Sequence, residues 1–140
     1  MKNILKNYLS QRPKYKLAFD LSSTLDVESV DTGIYLSNVL TSKVSKKNLN
    51  MYAGETLRAM IRLHTHDHPE YGRYVALSNI GILFEPSLAF NLETIIEQTS
   101  KDLLMIIQAK GKIDNERFYY LSPQNHLTIN LKNLTYTVIE

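Results

Sequence analysis

The chain has no cysteine and no tryptophan, and only five of its 140 residues are glycine and four proline. Without thiols there is no disulfide scaffold, no thiolate zinc site and no cysteine nucleophile, so any metal must be held by His, Asp or Glu. No apolar run approaches the roughly 18 residues needed to cross a bilayer. The N-terminal stretch is too short in apolar residues for a secretory leader. These absences lead to the expectation of a cytoplasmic protein without membrane contact. No Pro/Gly-rich linker, internal repeat or low-complexity tract divides the sequence, which predicts one domain over residues 1–140. What is present is ordinary for a globular core: 44% apolar and 21% charged residues.

Charge is unevenly spread. Residues 1–50 hold eight Lys/Arg against four Asp/Glu, whereas residues 51–140 hold eight against ten. Lys14, Lys16, Lys43, Lys46 and Lys47 are therefore the candidates for contact with DNA phosphates, although a nucleic-acid footprint is usually denser and interleaved with base readers.

Hydrophobic spacing gives the elements. Ile4, Leu5, Tyr8 and Leu9 fall on one helical face and Pro13 stops the helix, so residues 1–12 form an N-terminal helix. Residues 15–21 alternate and read as a first strand, and residues 33–37 as a short second one. Leu57, Met60, Ile61 and His64 form the stripe of a helix over residues 54–64. A polar loop follows to Gly72. Residues 73–79 and 103–108 are nearly continuous apolar runs, as in strands covered on both faces. Between them Asn91 caps a helix with the stripe Leu92, Ile95, Ile96 and Thr99. Strand, helix, strand predicts a βαβ unit in a mostly parallel sheet, hence a three-layer α/β domain. Asp114, Asn115 and Glu116 mark a hairpin turn, and residues 118–121 and 135–139 read as edge strands.

The densest chemistry is the string His64, Thr65, His66, Asp67, His68, Pro69, Glu70. Imidazole and carboxylate ligate zinc, nickel or iron, so His64, His66, Asp67 and His68 are candidate ligands for a divalent metal and a hydrolytic reaction. The spacing is one residue short of the H-x-H-x-D-H loop of metallo-β-lactamases, and the glycine-rich flanks of that loop are missing. A polar connecting loop is the plainer reading. No G-x-S-x-G elbow supports a serine nucleophile. A phosphate-binding loop requires glycines after the first strand so that backbone N–H groups can close on the anion. Here that place holds Leu21, Ser22, Ser23, Thr24 and Leu25.

Residues 75–88, VALSNIGILFEPSL, resemble the Walker B region of the BrxF family, small P-loop proteins of bacteriophage-exclusion (BREX) defence systems, which reads L-D-N-I-E-I-L-F-D-P-x-L. The resemblance extends over residues 15–126, with Tyr120, Pro123 and His126 in register with the family's tail, and leaves 127–140 as a C-terminal edge strand. It implies a P-loop NTPase-like core with a degenerate nucleotide site. Where the family has its magnesium-coordinating Asp this chain has Ser78, followed by Asn79, and where the family has its catalytic Glu it has Gly81. A hydroxyl does not replace that carboxylate, and glycine cannot polarise an attacking water. Together with the missing glycine-rich loop, the resemblance implies a pseudo-ATPase with no catalytic residue and no cofactor. Such a protein would be retained as a subunit that binds a larger ATPase, methyltransferase or phosphatase-like protein. The edge vacated at residues 20–24 and 78–81 is the expected docking surface.

Overall fold

The computed structural model describes residues 2–41 and 49–140. Its centre is a six-stranded sheet in which β2 (Ser29–Asp31), β4 (Gly72–Ser78), β5 (Leu104–Gln108), β1 (Leu17–Asp20) and β9 (Thr137–Ile139) lie side by side in that order, all parallel. The sixth strand, β3 (His66–His68), runs antiparallel to the first residues of β4, while β2 pairs with the last ones. The inner strands β4 and β5 are buried along most of their length, which is why they read as nearly unbroken apolar runs.

Side-chain alternation divides the core between the two faces. Leu17, Phe19, Val75, Leu77, Met105 and Ile107 meet the apolar stripes of α2 (Thr32–Leu40), α3 (Leu49–Leu63) and α4 (Leu92–Asp102). On the other face Ala18, Tyr74, Ala76, Leu104, Ile106 and Ile139 pack against Leu5 of α1 (Lys2–Ser10) and against Leu25 and Val27 of the β1–β2 connection. The result is a lopsided set of layers, with three helices on one side and a single helix plus extended chain on the other.

After β5 the chain forms a second, antiparallel sheet from β6 (Gly111–Asp114), β7 (Arg117–Tyr120) and β8 (Thr128–Asn130). The two-residue turn between β6 and β7 is Asn115-Glu116, both at positive φ (49° and 59°), the backbone a tight hairpin demands. This sheet docks on the three-helix side through Phe118, whose ring stacks on Phe19 at 4.9 Å between centroids.

Four local expectations change. Residues 33–37 are helical, because Asp31 accepts a hydrogen bond from the Ile34 amide (2.9 Å) and caps α2, so the short strand is Ser29–Asp31 instead. The loop 64–72 contains β3, a strand held by pairing with β4 rather than by any pattern of its own. The last buried position of α4 is Ser100 rather than Thr99, and Ser100 satisfies its hydroxyl on the Ile96 carbonyl (2.7 Å). Finally, β7 is the middle strand of its sheet and not an edge. The C-terminal strand β9 does lie at an edge, next to β1.

Candidate functional site

Open parallel sheets bind ligands beyond the carboxyl ends of their strands. Strand register brings Asp31, Ser78, Gln108 and Asp20 into one row across β2, β4, β5 and β1 at that end. Asp20 is fully buried. Its Oδ1 accepts from the Thr24 amide (3.0 Å) and hydroxyl (3.1 Å), and its Oδ2 from the Leu25 amide (2.9 Å) and from Nε2 of Gln108 (3.0 Å). Nε2 of Gln108 also reaches the Leu25 carbonyl at 3.3 Å. Four donors thus converge on one carboxylate, which offsets the cost of burying it.

This knot explains what happens after β1. Only residues 21–28 separate β1 from β2, and they contain no helix. In a phosphate-binding loop the backbone amides close on a bound anion. Here the loop closes on its own strand's carboxylate. The edge expected to be vacated is filled, and a phosphate brought to it would meet the Asp20 charge and two amides already engaged.

The neighbouring polar residues also bond to the protein itself. Ser78 is half-buried and donates to the Val30 carbonyl (3.2 Å), tying β4 to β2. Asn79 adopts the left-handed conformation (φ 49°), from which its Nδ2 donates to Asp31 Oδ1 (2.8 Å) and its carbonyl accepts the Gly33 amide (3.0 Å). Gly33 leaves room for this contact, since a Cβ there would lie 2.5 Å from Asn79 Nδ2 and would displace that side chain. The Ile34 amide, and then the Asn79 side chain, hold the Asp31 carboxyl below the usual carboxylate range. Gly81 lies under the Tyr120 ring, which stacks on Phe84 at 5.3 Å.

The histidine string is dispersed. His64 Nδ1 lies 3.0 Å from the Met60 carbonyl, and its ring meets Tyr35 edge-on. His66 and His68 share one side of β3 and Asp67 projects to the other, as strand alternation requires. His66 Nε2 lies 3.3 Å from Glu28, while His68 Nδ1 accepts the Glu70 and Tyr71 amides and its ring stacks on Tyr71 at 4.1 Å. Among the described residues no group of three or more His, Asp or Glu side chains is placed to hold a metal ion. Of the DNA candidates, Lys14 sits over the Tyr15 ring (5.3 Å) and Lys16 precedes β1. Lys43, Lys46 and Lys47 lie outside the described residues.

Sequence reasoning singled out the edge but missed the roles of Asp20 and Gln108. A signal existed, in that each is a polar residue ending an otherwise apolar strand. No helix among the described residues is long and apolar enough to cross a membrane. Comparison with protein-family models, with curated proteins and with solved structures finds no match to this chain.

Proposed function

We propose that the chain is a pseudo-ATPase-like subunit of a prokaryotic anti-phage defence complex, built on a P-loop-like scaffold and acting by binding a larger partner protein. The observation that carries this reading is the Asp20 knot, an internal anion held by the very loop that would otherwise cradle phosphate. Two large apolar side chains stand exposed near the same edge: Ile34 (58%), in the first turn of α2, and Leu121 (53%), whose amide bonds to the carbonyl of Lys110 just beyond β5. They are the anchors a docking surface needs.

The test is affinity purification of the tagged protein from its native host with mass spectrometry of the co-purifying chains. Stoichiometric recovery of a large ATPase, methyltransferase or phosphatase-like protein, lost in an Ile34→Asp/Leu121→Asp variant, is expected. Recovery of the chain alone contradicts the proposal. So does ATP hydrolysis that disappears when Ser78 is changed.

A further inference from the structure

At the opposite, amino-terminal edge of the sheet, a cavity of about 830 Å³ opens between the C-terminal halves of α3 and α4 and the start of β4. Arg58, Arg62 and Arg73 line it together with Asp102, over a floor that includes the buried Ile61 and Leu103. Arg58 and Arg62 stand one helical turn apart, roughly 6 Å along α3. Arg73 faces in from β4. Arg58 spends one N–H on Gln98 Oε1 (2.6 Å). Among the described residues, the side chains of Arg62 and Arg73 have no hydrogen-bonding or ion-pair partner.

The chemistry of the lining narrows what fits. Three guanidiniums against Asp102 in the lining, with Asp67 opposite Arg73 on β3, leave a net positive charge of about one at a site of small-molecule size. A phosphomonoester carries about −1.5 to −2 at neutral pH. Planar guanidinium forks bind such a group bidentately, which a lysine cannot do. No aromatic side chain lines the cavity, so there is no platform for a nucleobase. Asp102, when ionised, only accepts hydrogen bonds, and therefore suits a ligand body carrying hydroxyls.

We propose that this cavity binds a phosphomonoester of a small polyhydroxylated molecule, in chemical class a sugar phosphate, with Arg62 and Arg73 on the phosphoryl group and Asp102 on the hydroxyls. The site lies at the other end of the sheet from the Asp20 knot and does not depend on the defence-complex reading.

Isothermal titration of the full chain with a panel of triose, pentose and hexose phosphates tests it, with inorganic phosphate, unphosphorylated glucose and a single-stranded oligonucleotide as comparison probes. Saturable binding of at least one sugar phosphate is expected, weaker binding of inorganic phosphate, and none of glucose. The Arg62→Gln/Arg73→Gln variant should lose about tenfold or more in affinity, as removal of charge-assisted bidentate bonds implies, with its thermal melt unchanged. Asp102→Asn should shrink the preference for sugar phosphate over inorganic phosphate. Three results overturn the proposal: no saturable binding by any sugar phosphate at low salt, full affinity in the double-arginine variant, or tighter binding of the oligonucleotide through the same arginines.

Discussion

The two ends of the parallel sheet deal with charge in opposite ways. At the carboxyl end the row Asp31, Ser78, Gln108, Asp20 is bonded to the protein itself, and its one buried carboxylate has four donors. At the amino end, about 17 Å away along β4, the side chains of Arg62 and Arg73 face a cavity without a hydrogen-bonding or ion-pair partner among the described residues. The location of polar residues in an α/β sheet therefore does not by itself say where a ligand binds. What matters is whether their hydrogen-bonding capacity is already spent. A carboxyl edge whose donors are used internally contributes to stability, whereas an amino edge with spare guanidiniums contributes to recognition.

The sharpest way to break this contrast is to remove the anion at the carboxyl end. Asp20→Ala leaves the part-buried Thr24 and Leu25 amides without their acceptor and Gln108 Nε2 with only the Leu25 carbonyl, and should cost about 3 kcal/mol in urea denaturation. Asp20→Asn, which keeps one acceptor oxygen, should cost less. A next, smaller effect is expected from Gly33→Ala. The added Cβ displaces the end of Asn79 from Asp31, a loss partly offset by the better helix propensity of alanine, and should cost about 1 kcal/mol or less, readable as a slightly lowered thermal midpoint.

Acid provides a milder probe of the same end. The Asp31 carboxyl is held below its unfolded value by the Ile34 amide and Asn79, so its contribution is complete above the usual carboxylate pKa of about 3.9 and is lost as pH falls through the lowered folded value. Asn79→Ala should flatten part of that acid limb when stability is followed from pH 6 downward. The smallest effect belongs to the other end. Arg58→Gln removes an exposed guanidinium whose only partner among the described residues is the exposed Gln98, and should shift stability by no more than about 0.5 kcal/mol. A large destabilisation there would erase the distinction between the two ends.

How much of this was legible follows from the physics of each element. The unit β4–α4–β5 could be read directly, because strands buried on both faces are written as apolar runs and the Asn91 cap with the stripe Leu92, Ile95, Ile96 marks the helix between them. The Asn115 turn was readable because few residues accept a left-handed backbone. Residues 33–37 were misread because a short apolar cluster fits a strand and a helix alike, and the deciding contact is the Asp31 cap. The strand β3 has no pattern of its own, since a three-residue polar segment becomes a strand only when β4 lies beside it.

The sequence by itself determined the α/β class, the mostly parallel sheet and the absence of a glycine-rich loop after β1, because each of these rests on local spacing or on residues simply present or missing. The tertiary structure alone decided that Gln108 meets Asp20 across 88 residues, that the three histidines of the string take different polar partners, and that three arginines from a helix and a strand share one cavity. Those outcomes depend on strand register and helix docking, which the whole core sets together.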